Sequence, residues 1–179
     1  MIHAGRLFSF PNPVNEVAAR TVAGCVAVIG LLAIVAHLPW LSAVLAAGFL
    51  LRVASGPTLS PLGQLATRVI APRLAAPKPV AGPPKRFAQA MGAVLTVTAT
   101  ITYFGLGLTT VTYSLLAAVV LAATLESVFA LCLGCRVFAV LMGVGVVPEE
   151  VCAACADIWG PAARELRASS AVAPGPVES

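Results

Sequence analysis

Eighteen consecutive residues, Thr21 to Leu38, carry no formal charge. As a helix at about 1.5 Å per residue this run is roughly 27 Å long, against a hydrocarbon core of about 30 Å. In water such a helix would need a polar shell around it, and the chain lacks the residues to build one. Of its 179 residues, 59% are apolar and only 10% charged, and the mean hydropathy is +0.97. A soluble domain carries about 25% charged residues. The composition therefore excludes a soluble enzyme, a disordered chain and a fibrous repeat. It points to an all-α fold, a polytopic membrane helical bundle.

Four membrane spans are expected, with amphipathic interfacial helices beside them. The first follows Asn15, a candidate cap, and Glu16, which suits the positive end of a helix dipole; Pro39 ends it. The second runs from about Trp40 to Leu51 or Ala54 and is closed by Gly56-Pro57. Leu59 to Leu74 reads as an amphipathic helix on the membrane surface, with Leu62, Leu65, Val69 and Ile70 near one side. Pro72, Pro77, Pro79, Pro83 and Pro84 predict an extended linker. Lys85-Arg86-Phe87 leads into a third span, about Ala88 to Leu106. A fourth covers Thr109 to about Ala130, after a turn at Gly105 and Gly107. Ser127 to Val147 is long enough for a fifth span, but Arg136 in its middle argues for a bent or interfacial segment. The resulting organisation is a transmembrane bundle over 1–147 with a cytoplasmic loop at 52–87. A cytoplasmic helix follows at 148–160, and then a disordered tail at 161–179.

The net charge is +4 with a pI near 9.0, and lipid is the expected partner of the basic residues rather than nucleic acid. Arg6 and Arg20 precede span one. Arg52, Arg68, Arg73, Lys78, Lys85 and Arg86 lie between spans two and three, and Arg136, Arg164 and Arg167 follow span four. The other two loops hold no basic residue. The positive-inside rule then places both termini and the central loop in the cytoplasm. The preference for Arg over Lys, with abundant Ala, Gly, Val and Pro, suggests a high-GC bacterium and so a bacterial inner membrane. Met1 to Val14 contains Pro11 and Pro13 and lacks a continuous apolar core, so no cleavable signal peptide is expected.

Five cysteines supply the chemistry. Cys25 lies inside span one and reads as a small buried hydrophobe. The other four form two C-x-x-C pairs, Cys132/Cys135 and Cys152/Cys155. On a helix, positions i and i+3 share a face, within the separation a disulfide tolerates. Cytoplasmic cysteine pairs are more often catalytic, redox-sensing or metal-binding than structural. Pro148-Glu149-Glu150 predicts a helix start that places Cys152 and Cys155 in its first turns. Arg136 follows Cys135 and favours a thiolate. Glu126, the only acid inside a span, is a functional candidate, either protonated or paired with a base such as Arg52. It precedes Cys132 by about 600° of helix rotation and so shares no face with it on a straight helix. The whole pattern, C-x2-C-x16-C-x2-C, also has the spacing of a four-cysteine zinc site, although a zinc ribbon wants polar hairpins and the connector Val137 to Val147 is apolar. His3 and His37 are too isolated to pair as ligands. Gly82 to Phe87 reads as a basic anchor at a span start, or as a holder of lipid phosphate or a cofactor.

Four segments resemble a bacterial membrane family catalogued as domain of unknown function 4395. They are Phe-Pro-Asn-Pro-Val-Asn-Glu at 10–16, Ser-Pro-Leu-Gly at 60–63, Gly-Pro-Pro-Lys-Arg-Phe-Ala-Gln at 82–89 and Leu-Cys-Leu-Gly-Cys at 131–135. The resemblance implies a small integral membrane protein whose Cys132 and Cys135 match a C-x-G-C element, with a thioredoxin-like or sulfurtransferase partner. It carries no established activity and does not extend to Cys152 and Cys155.

Two functions follow as expectations. One is a thiol–disulfide redox carrier working through Cys132, Cys135, Cys152 and Cys155. No cysteine lies near the predicted outer face, so electrons crossing the membrane would need a moving helix or a quinone. The other is a non-enzymatic scaffold whose four cysteines hold zinc. Both require the two pairs to converge.

Overall fold

A computed structural model describes residues 13–145. Its elements are β1 (Val14–Asn15), α1 (Glu16–Val35), α2 (Leu41–Ser55), α3, β2 (Pro79–Val80), α4 (Gly82–Phe104), α5 (Thr109–Phe129) and α6 (Leu133–Gly143). Helix α3 has three consecutive pieces, α-helical Pro61–Leu65, π-helical Ala66–Ile70 and α-helical Ala71–Leu74. The fold among the described residues is all-α apart from one short antiparallel pairing, Val14 with Val80 and Asn15 with Pro79.

Local chemistry sets the helix ends. Asn15 Oδ1 accepts the Val17 N–H at 3.0 Å and caps α1. Ser60 Oγ accepts the Gly63 N–H at 3.2 Å, with Pro61 opening α3. Gly56, at φ 63°, ends α2, and Gly107, at φ 66°, makes the turn before α5. Pro83 and Pro84 are not linker residues. They lie in the first turn of α4, where the missing N–H groups are no loss. The extended linker is therefore shorter than expected, and α4 begins six residues before Ala88.

Helix α1 packs chiefly on α5, and α2 on α4; α4 also contacts α5 and α6. The α1 face that meets the core is made of small residues, Ala18, Val22, Ala23, Val26, Gly30 and Ala33. These allow close backbone approach, as in membrane bundles. Opposite them stand Leu116 and Val119 of α5. The outer surface is apolar too. Val28 and Val35 of α1, Val94 and Ile101 of α4, and Leu121 and Phe129 of α5 are each more than half exposed. An outside as apolar as the inside fits lipid, not water.

Helices α1, α4 and α5, at 20, 23 and 21 residues, are long and apolar enough to cross a membrane. Helix α2, expected as the second span, has only 15 residues, roughly 22 Å at about 1.5 Å per residue. Among the described residues, no continuous fifth span forms after Ser127. Helix α5 stops at Ala130, which adopts the left-handed conformation at φ 56°, and α6 that follows has 11 residues. In α3, Gly63, Ala66 and Ala71 face the protein, while Leu65, Val69 and Leu74 are exposed. Leu62, expected on the same side as Leu65 and Val69, instead packs against the core, so the exposed apolar side of α3 is made by Leu65, Val69 and Leu74.

Candidate functional site

The break at Ala130 makes the site. The N–H groups of Ala130 and Leu131 both donate to Leu125 O. The carbonyls of Ser127 and Val128, which a continuing helix would have used, accept instead from the Arg20 guanidinium at 2.9–3.2 Å. The chain then reverses, and α6 packs on the start of α4. Gly134 permits this approach: a Cβ there would lie 2.5 Å from both Cα and Cβ of Ala88. Phe87 and Phe138 close the same contact, ring centres 5.5 Å apart.

Cys132 is not inside a helix, as the i, i+3 reading expected, but caps α6. Its Sγ accepts the Cys135 N–H at 3.4 Å. Both thiols are free; Cys132 is buried and Cys135 half-buried. The hydrogen bond from the Cys135 thiol holds Cys132 below the ordinary thiol range. Lys85 and the Cys135 N–H act the same way, against burial and Glu126. Donating that bond, together with burial, pushes Cys135 well up. The pair therefore has one sulfur disposed to be thiolate and one held as thiol.

Arg52 and Lys85, which the sequence reading placed in a cytoplasmic loop, are buried in the bundle, 3% and 9% exposed. Lys85 Nζ donates to Glu126 Oε1 at 2.6 Å. The partner of Glu126 is thus Lys85, while Arg52 Nε donates to Gln89 Oε1 at 2.8 Å. With the helix broken at Ala130, Cys132 lines the same cavity as Glu126, although a straight helix would separate them. That cavity, about 250 Å³, is bordered by Arg52, Lys85, Gln89, Glu126 and Cys132. On the other side of Cys132 a surface groove of about 390 Å³ holds Glu16, Cys135 and Arg136. Cys132 and Lys85 border both spaces. Gln89 was missed as a site residue; Arg52 was expected as a partner for Glu126 and Lys85 as part of a basic anchor, and the single intramembrane acid was the signal that a buried cation was needed.

The family described as "Domain of unknown function (DUF4395)" matches residues 14–143. The chain is a DUF4395 protein. No curated protein and no solved structure matches it. In this DUF4395 chain the C-x-G-C element has a physical reading: the cysteines flank the glycine that lets α6 reach α4. Cys152 and Cys155, and with them the convergence of the two pairs and the helix at 148–160, lie outside the described residues. Among the described residues no group of three or more His, Cys, Asp or Glu is arranged to hold a metal; the four-cysteine zinc reading rests on the second pair. Cys25 lies half-buried in α1, and His37 sits in the α1–α2 turn against Tyr113.

Proposed function

We propose that the chain is a thiol–disulfide redox carrier of the bacterial inner membrane, with both termini in the cytoplasm and a thioredoxin-like or sulfurtransferase partner. The observation that carries this reading is the asymmetry of Cys132 and Cys135. A thiolate at a helix start beside a lysine is a good leaving group in disulfide exchange, since a thiol of lower pKa leaves faster. The less buried Cys135, in the surface groove, is the sulfur a partner reaches. In the oxidised carrier the partner thiolate attacks Cys135, a new S–S bond forms there, and Cys132 departs as thiolate. The partner's second thiol then completes the exchange.

Mass spectrometry after mild oxidation tests the pair, and a trapping experiment tests its order. A Cys132→Ser chain, treated with an oxidised thioredoxin-like probe that has a single cysteine activated as a mixed disulfide, is expected to hold that probe on Cys135. If Cys132 and Cys135 stay free under conditions that oxidise an ordinary dithiol, the carrier reading fails.

A further inference from the structure

The cavity behind Cys132 has apolar walls, among them Val22 and Val26 of α1, Leu95 of α4 and Val119 of α5, with polar residues gathered at one end. At about 250 Å³ it exceeds the roughly 150 Å³ apolar cavity that admits benzene. Of the charged groups on its lining, Lys85 and Glu126 satisfy one another. Arg52 is different. Its Nε is bound to Gln89 and its guanidinium carbon lies 4.5 Å from the centre of the Phe49 ring. Its Nη2 is buried and, among the described residues, has no hydrogen-bond partner. A buried charged donor left without an acceptor is costly, and Arg52 borders this cavity, so an acceptor that enters it has a donor to meet. A small inorganic anion is polar on every side and gains nothing from the apolar walls. A flat ring with a carbonyl at its edge gives the oxygen to Arg52 and the ring to the walls, the usual division in a small-molecule site. Cys132 borders the same space.

We propose that this cavity binds the ring of a lipid-soluble quinone, which takes electrons from Cys132 and Cys135. The inference rests on the carrier reading and adds the acceptor. Two S–H bonds break and one S–S bond forms between Cys132 and Cys135. The two electrons and two protons released convert the two ring carbonyls to hydroxyls, so dithiol plus quinone gives disulfide plus quinol. Cys132 borders both the cavity and the groove and Cys135 the groove alone, so the acceptor meets the pair through Cys132 and the partner from the groove.

The test uses the full chain in lipid nanodiscs and a short-chain ubiquinone, whose fully substituted ring has no open carbon to retain a thiol. Binding is read by equilibrium titration, and transfer by one anaerobic turnover of the pre-reduced protein. The expected result is saturable binding and one quinol formed for each Cys132–Cys135 disulfide. Arg52→Met removes the donor and Ala122→Phe fills the cavity from α5. Each is expected to weaken binding at least about tenfold, the equivalent of about 1.4 kcal/mol. Arg52→Lys, which keeps the buried charge, guards against simple misfolding and is expected to bind between the two. Absence of saturable binding, with disulfide exchange to the thioredoxin-like probe intact, overturns the quinone site and leaves the carrier. Binding without oxidation of the pair overturns the transfer step. Equal binding by the wild type, Arg52→Met and Ala122→Phe places the quinone elsewhere and overturns the assignment.

Discussion

At the scale of single residues, the thiolate character of Cys132 comes first from the hydrogen bond of the Cys135 thiol, and two opposed charges tune it. Lys85 favours its thiolate and Glu126 disfavours it. Removing the lysine leaves the carboxylate uncompensated, so Lys85→Met raises the Cys132 pKa and thiolate forms only at higher pH. Glu126→Gln removes the opposing charge and lowers it. Alkylation of Cys132 by iodoacetamide across pH is therefore expected to reach half its maximal rate at higher pH in Lys85→Met and at lower pH in Glu126→Gln. Shifts in the same direction for both variants would show that the ion pair acts through structure and not through charge. The cysteine spacing was readable from the sequence, but the inequality of the two thiols was not. It depends on Lys85, which is 41 residues from its partner Glu126, and on a cap made by sulfur, an atom outside the usual Ser, Thr, Asp and Asn set.

At the scale of elements, the long spans were legible because apolar runs end at Pro39, Gly56-Pro57 and Gly105. Two features were not. The β1–β2 pairing joins Val14 to Val80 and Asn15 to Pro79, far apart in the chain and through too few residues to leave a pattern. The end of α5 falls on Ala130, a good helix former with no signal for a left-handed conformation. An L-residue in that region costs roughly 1–2 kcal/mol, so Ala130→Gly is expected to raise stability by about 1 kcal/mol. Thermal unfolding in detergent reads this as a higher midpoint; a lower one would mean that the Ala130 methyl is needed for packing. Gly134→Ala is expected to do the reverse, because the added Cβ meets Ala88. Such overpacking costs about 1–3 kcal/mol. Combining it with Ala88→Gly should restore most of the loss, and failure to restore would locate the clash somewhere else.

At the scale of the molecule, the described basic residues that enter the bundle meet at one end. Arg20 reaches the end of α5, Lys85 pairs with Glu126 nearby, Arg52 binds Gln89, and Arg86 Nε donates to Val53 O. The opposite end is uncharged: Thr102 and Thr112 share a buried hydroxyl contact at 3.0 Å, and His37 stacks edge-on against Tyr113. With positive charge on the cytoplasmic side, a cysteine introduced at Leu106 should react with an impermeant maleimide added outside intact cells, and one at Ala76 should not. The reverse pattern would invert the proposed orientation and move the thiol pair to the other compartment.

The hold of Arg20 on the carbonyls of Ser127 and Val128 also has a consequence for how the protein is made. The two partners are 107 residues apart, an interval of roughly 5–20 s at ordinary rates of synthesis. During that time Arg20 is already in the first helix while the carbonyls it will serve do not yet exist. The thiol pair, emerging just after them, is placed only when the last long helix docks against the first. Placement of Cys132 and Cys135 thus waits on the docking of α5 against α1, and a chain that ends before α5 does not present the pair in this setting.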